Sequence, residues 1–171
     1  MLYDWPYQVF QKIGPRMPAT TAREKFIAAQ FHDYALQLRI PVKPAFVIGP
    51  VPASAGALSG NAVVVISHEM LDPAKFSDND VRFILAHELG HIARLDAYRF
   101  WTRWTDAASE AREIDADRIG VRVAGCDAMR ETVAHHWHEF LKGYEDDVDH
   151  HPHPDRRLRE ACGTSLHGDS R

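Results

Sequence analysis

Only two of the 171 residues are cysteine, Cys126 and Cys162. Two thiols build no disulfide framework, and their spacing resembles neither a zinc knuckle nor a redox pair. Both read as ordinary thiols. Long apolar runs are also missing. The longest, near Phe46–Ile48 and Ala62–Ile66, fall far short of the ~20 residues that a membrane helix needs. The opening segment, MLYDWPYQVFQK, has no charged stretch followed by an apolar one, so no secretory leader is read there. Basic charge is not in excess. Lys and Arg number 20 against 24 Asp and Glu, a formal −4, which gives nucleic acid no positive stripe to follow. The expectation is a soluble, cytoplasmic chain with one domain, and the 45% apolar content suffices for a core. Histidine stands out: there are 11, and they cluster.

Three segments are expected: an N-terminal arm over 1–20, a single domain over 21–163, and a loose tail over 164–171. Thr20 or Thr21 caps a helix reaching about Leu38, with Phe26, Ala29, Tyr34 and Leu38 among its apolar positions. Ala45–Ile48 reads as a short strand. The stretch Gly49–Gly60, with Pro50, Pro52, Gly56 and Gly60, reads as a loop. Asn61–Ser67 is the clearest strand, β-branched and bounded by turn residues. Ser77 with Asp80 three residues on forms a variant of the capping box. Val81, Ile84, Leu85, Leu89 and Ile92 then keep helical period to about Leu95. Further helices are expected over Thr105–Ala124, over Asp127–Tyr144 with Val133, Ala134, Trp137, Phe140 and Leu141 buried, and over Pro154–Ala161. The fold class is α+β, mainly helical, with a small sheet.

The chemistry lies on two adjacent helices. His87-Glu88-Leu89-Gly90-His91 is an HExxH motif inside a predicted helix, so its two imidazoles share one face. Such a pair can hold Zn²⁺ at about 2.0–2.1 Å. Glu88 points beside the metal, where it can take a proton from water and pass it to a leaving amine. A catalytic zinc needs a third protein ligand and an open position. The metzincin extension is absent, because Arg94 stands where that pattern wants Gly and Ala97 where it wants His. The next helix offers Glu113, with Asp117 one turn on, sharing a face with Ala116 and Gly120. Small residues there would let the helices close up. Glu113 would then reach the zinc, and Asp117 would accept the free ring N–H of a ligand histidine.

These motifs resemble the HtpX-like zinc metallopeptidases of the gluzincin group. Leu85–His91 after the strand Ala62–Ile66 looks like that family's active-site entry. Glu113-Ile114-Asp115-Ala116-Asp117 is similar to its ExxAD motif, and His151-Pro152 with Arg157-Leu158 to its HP…RL element. The resemblance covers roughly Gly56 to Ala161. It implies a gluzincin- or minigluzincin-like fold and a soluble zinc-dependent metalloendopeptidase with one Zn²⁺ per chain. His87, His91 and Glu113 would be the ligands, and Glu88 the base. His151 and Arg157 would lie near the cleft, steadying an oxyanion or the Asp117 side. The strand before the active-site helix would present an edge, near Leu58–Val65, to an extended peptide substrate. An IrrE/ImmA-type regulatory metallopeptidase is the nearest alternative. Asp117 stands where that pattern wants Asn, and Gly120–Val123 lacks its apolar run. A latent or non-catalytic zinc-binding regulator is the other.

The remaining histidines read more plainly. His135, His136 and His138 form a solvated polar face, with a second metal on His135, His138 and Glu139 as the alternative. His150 and His153 read as exposed, and His68-Glu69 as a turn. Tyr98, Trp101 and Trp104 read as packing or a substrate wall.

Overall fold

Thr21 starts the first helix with a reciprocal cap. Its hydroxyl accepts from the Glu24 amide at 3.1 Å, and its own amide donates to the Glu24 carboxylate at 2.8 Å. Helix α1 runs over Ala22–Gln37 and buries Ile27, Phe31 and Tyr34. These residues lie four and three apart, one apolar stripe. Ala29, expected on that stripe, is exposed because it sits roughly 160° around the helix from Phe31's side of the turn. The computed structural model describes residues 21–40, 45–49, 54–58, 61–94, 106–136, 138 and 152–163. The expected arm (1–20) and tail (164–171) lie outside these, as do Tyr98, Trp101, Trp104, Trp137, Glu139, Phe140, Leu141, His150 and His151.

Three strands form one sheet: β1 (Ala45–Gly49), β2 (Ser54–Leu58) and β3 (Asn61–Ser67), in the order β1-β3-β2. β1 runs parallel to β3, from Ala45 opposite Val63 to Gly49 opposite Ser67. β2 runs antiparallel to it, from Ser54 opposite Val65 to Leu58 opposite Asn61. Two expectations are corrected. The segment read as a loop contains β2, whose Ser-Ala-Gly-Ala start carries little intrinsic strand preference. It is a strand because β3 pairs with it. And β3 is the central strand, not an edge. Its run Val63–Ile66 is buried at four consecutive positions, as a strand covered on both faces must be.

Helix α2 (Asp78–Ala93) follows a 3₁₀ turn at His68–Leu71. Its start obeys the expected cap: the Ser77 amide donates to Asp80 Oδ2 at 2.7 Å, and the Asp80 amide donates to Ser77 Oγ at 3.1 Å. Arg23 of α1 secures the approach, donating to the carbonyls of Met70 at 3.1 Å and Ser77 at 3.2 Å and pairing with Asp78. One flank of α2 packs Val81, Leu85, Leu89 and Ile92 against Ile27, Phe31 and Tyr34 of α1 and Val64 and Ile66 of β3. The other presents Phe83 to Ala128, Met129, Val133 and Leu158. A helix covered on both flanks can carry polar groups inside the protein, and α2 carries the HExxH residues there.

Helices α3 (Asp106–Ala124), α4 (Cys126–His135) and α5 (Pro154–Cys162) complete the described structure. Gly125, at φ 87°, turns the chain between α3 and α4 in a conformation that side chains disfavour. α4 ends earlier than expected, at His135, and its buried face is Ala128, Met129, Thr132 and Val133, with Ala134 exposed. The two cysteines are not free thiols. Cys126 opens α4, Cys162 closes α5, and they are bridged with their Cα atoms 5.7 Å apart. Sequence gave no warning, because 36 residues separate them and only the docking of α5 brings them together.

Closing a loop of that length removes about 4 kcal/mol of chain entropy from the unfolded state. Urea unfolding should therefore show the Cys126→Ser, Cys162→Ser protein less stable by roughly 2–4 kcal/mol. Dithiothreitol should lower the wild type to the same midpoint and leave the variant unmoved.

Candidate metal centre

Two glycines set the spacing of α2 and α3. A Cβ added at Gly90 would lie 2.9 Å from the Ala116 carbonyl oxygen, closer than such atoms approach. One added at Gly120 would lie 3.2 Å from the His87 amide nitrogen. The helices are thus in backbone contact at the level of the motif. The sequence reading anticipated Ala116 and Gly120, and missed that Gly90, inside HExxH itself, makes the tighter approach.

That approach brings three side chains to one point. His87 Nε2 and His91 Nε2 are 3.2 Å apart. Glu113 Oε2 lies 3.4 Å from His87 Nε2, and Glu113 Oε1 lies 3.3 Å from His91 Nε2. Ligands bound at 2.0–2.1 Å around a tetrahedral ion stand about 3.3 Å from one another. The imidazole pair matches that edge, Glu113 sets one oxygen against each ring at a like distance, and one ligand atom from each residue lies within 4.8 Å of the others, so the residues fit a zinc-class ion with a fourth position for water or substrate. Their mixed chemistry, two imidazoles and a carboxylate, suits zinc.

The residues behind the ligands fix their state. His87 Nδ1 lies 2.9 Å from Asp117 Oδ1. Its ring N–H donates to that carboxylate, which turns the Nε2 lone pair toward Glu113 and His91. Asp117 is fully buried. Arg157 of α5 holds it through two bonds, Nε to Oδ2 at 2.7 Å and Nη2 to Oδ1 at 2.8 Å. Burial pushes the Asp117 carboxyl up, but the Arg157 charge and hydrogen bonds overcome that and hold it below its ordinary range. Arg157 Nη2 also lies 3.8 Å from Glu113 Oε2. This arginine is therefore a support beneath the candidate ligands.

Glu113 and Glu88 differ in the same way. Burial raises Glu113, yet when His87 and His91 are protonated their hydrogen bonds and charges outweigh this and hold it well below the usual carboxylate range. Glu88 is 8% exposed. Burial dominates there and raises its carboxyl, only partly opposed by the charges of His87 and His91. A raised carboxyl beside a candidate metal position takes up a proton more readily than an ordinary carboxylate.

Of the expected site residues, His87, Glu88, His91, Glu113, Asp117 and Arg157 converge. His151 lies outside the described residues. Its neighbour Pro152 is buried, and His153 caps α5 by accepting from the Asp155 amide at 3.2 Å. His138 is exposed, whereas His135 turns toward Asp80 of α2, a contact no sequence spacing announced.

Fold and site together define a helical protein with a small sheet and a candidate HExxH metal centre. Residues 21–105 match the model of peptidase family M48. The matched span includes His87, Glu88 and His91 and ends before Glu113. No curated protein and no solved structure matches the chain. No helix among the described residues is long and apolar enough to cross a membrane.

Two substitutions read this construction. Gly90→Ala should force α2 and α3 apart, lower stability by about 1–3 kcal/mol in urea unfolding and weaken zinc binding in a chelator competition. Arg157→Met should cost about 3–5 kcal/mol, because Asp117 is left charged and unpaired in the interior. Adding Asp117→Leu to Arg157→Met should recover a large part of that loss.

Proposed function

We propose that this chain is a zinc-dependent metalloendopeptidase of the HtpX-like, gluzincin type, acting on peptide or protein substrates. The observation that carries the reading is the convergence of His87, His91 and Glu113, with the two Nε2 atoms 3.2 Å apart and one Glu113 oxygen 3.3–3.4 Å from each, beside the raised carboxyl of Glu88. The family match points the same way and gives the IrrE/ImmA-type alternative no added support.

His87, His91 and Glu113 would hold the ion, and a bound zinc would supply Lewis acidity toward water and the scissile carbonyl. The residues of the chain then divide the work. Glu88 takes the proton from the attacking water and delivers it to the leaving amine nitrogen. Asp117 keeps His87 in the tautomer that frees Nε2. Arg157 keeps Asp117 ionised and in place. The substrate edge must be relocated from β3, which has partners on both sides, to β2. Ser54–Leu58 pairs with β3 on one side only among the described strands and packs beside α2. An extended peptide would add to its outer edge through backbone hydrogen bonds. The proposed setting is the cytoplasm, where reduced Cys126 and Cys162 would leave the docking of α5 to the Arg157–Asp117 and Arg118–Glu160 pairs; the bridged pair is the form of an oxidising environment.

The test is zinc content and casein cleavage for wild type, Glu88→Gln and His87→Ala. Glu88→Gln should retain wild-type zinc and lose about 10²–10⁴-fold in turnover. His87→Ala should lose both the zinc of this site and cleavage. Unchanged cleavage in Glu88→Gln would remove the mechanism. Zinc in both with cleavage in neither would point instead to a latent or non-catalytic zinc-binding regulator.

A further inference from the structure

Arg157 reaches Asp117 only while α5 is docked, and α5 has few other holds. It is nine residues long, with Pro154, Arg157 and Leu158 buried. A helix that short does not persist unaided in water. Leu158 packs with Phe83, Ala128, Met129 and Val133. The ion pairs that tie α5 to α3, Arg118–Glu160 and Arg156–Glu110, are open to solvent and contribute little. The Cys126–Cys162 bond is a covalent tie across a separation of 36 residues. It restricts the undocked chain more than either surface pair does.

The bond also lies where a reagent can reach it. Both cysteines are half-buried, and Gly125, Asp127 and Gly163 beside them are exposed. Asp117 and Arg157 are buried. An accessible bond thus governs an inaccessible contact. The chain has no third cysteine, so no competing disulfide forms within it. The two sulfurs differ in surroundings. Cys126 opens α4, whose N-terminal end favours negative charge, and Cys162 closes α5, whose C-terminal end disfavours it. Cys126 is therefore the better leaving thiolate, and Cys162 the sulfur to attack.

We propose that the Cys126–Cys162 pair is a redox-exchange site that controls the HExxH centre: the bridged form fixes α5 and holds zinc tightly, and the dithiol form holds it weakly. The proposal rests on the zinc reading of that centre. The reagent is an exposed dithiol, small or protein-borne. One of its thiols gives up a proton, and that sulfur attacks Cys162 Sγ. The Cys126–Cys162 bond breaks, and Cys126 leaves as a thiolate that takes up a proton. The reagent's second thiol then gives up its proton, attacks the first and displaces Cys162, which is protonated in turn. The reagent ends as a disulfide, having given two electrons to the pair of cysteines. A disulfide oxidant runs the same exchange backwards. With the bridge open, α5 samples undocked states in which Asp117 loses Arg157 and His87 loses a firmly held acceptor. Loss of such an outer partner weakens metal binding by about 10–100-fold. In a reducing cytoplasm the chain rests in the weak form, and oxidation tightens the centre.

The test is zinc affinity by chelator competition for three proteins: oxidised wild type, wild type reduced with a phosphine, and Cys126→Ser, Cys162→Ser, which has no thiol to bind metal itself. The oxidised protein should bind zinc about 10–100-fold more tightly than the serine variant. Treating the reduced protein with glutathione disulfide should restore the tight value. Amide hydrogen exchange over Pro154–Cys162 should be faster in the serine variant, with Leu85–Leu89 of α2 still slow. Circular dichroism confirms that each protein is folded at the temperature used. In the Asp117→Leu, Arg157→Met background, which has no buried charge to leave unpaired, adding the two serines should leave zinc affinity unchanged. Equal affinity in the oxidised and serine proteins would overturn the proposal and leave the zinc centre standing. So would unchanged exchange over Pro154–Cys162, or a serine effect undiminished in the Asp117→Leu, Arg157→Met background. No zinc in any form, the oxidised wild type included, would overturn the functional reading and the proposal with it.

Discussion

The buried pair of Asp117 and Arg157 is the contact on which the candidate centre depends. An ionised carboxylate with no exposure is expensive unless paired and fully hydrogen-bonded. Here a guanidinium from α5 grips both carboxylate oxygens, and His87 of α2 donates to one of them. Three helices far apart in sequence thus meet at one side chain. If α5 undocks, Asp117 loses its counter-charge, His87 loses its orienting acceptor, and the candidate ligands lose a support. The Cys126–Cys162 bridge, and the bonds from Arg118 of α3 to the Glu160 carboxylate at 2.6 Å and carbonyl at 3.1 Å, hold α5 where this contact requires it.

A second constraint acts at right angles to the first. Glu113 spans to two histidines on a neighbouring helix, and a carboxylate side chain is short. The helix axes must therefore come closer than large side chains permit, which Gly90 and Gly120 allow by backbone contact. Glycine inside a helix costs about 0.5–1 kcal/mol relative to alanine. The cost is local, and the return is the convergence of His87, His91 and Glu113.

Much of this was legible in the sequence because it rests on local rules. The Ser77–Asp80 cap, the shared face of His87 and His91, and the Glu113–Asp117 spacing follow from helix geometry over a few residues. What stayed hidden depends on distant partners. β2 has a weak strand composition and exists through its pairing with β3. The central position of β3 was in principle visible, since Val63–Ile66 lacks the alternation of a half-exposed strand. The cysteine bridge and the contact of His135 with Asp80 join segments 36 and 55 residues apart, beyond the reach of any periodicity. The role of Arg157 was expected near the cleft, and the structure makes it narrower: it serves Asp117.

The two glutamates of the centre show how neighbouring identical side chains acquire different tasks. Both are largely buried, so desolvation pushes both carboxyls upward. When the two imidazoles are protonated, Glu113 recovers through their hydrogen bonds and charges and stays an anion, the state that its proposed role as a metal ligand requires. Glu88 feels those imidazoles only through space, beside the repelling charge of Glu113, and ends raised. Environments that drive two like groups apart in acidity separate a fixed ligand from a proton carrier. Exchanging the roles would require moving the histidine bonds from one helix to the other. The proposed assignment of Glu88 as base and Glu113 as ligand rests on which carboxylate the α2–α3 contact places against the rings.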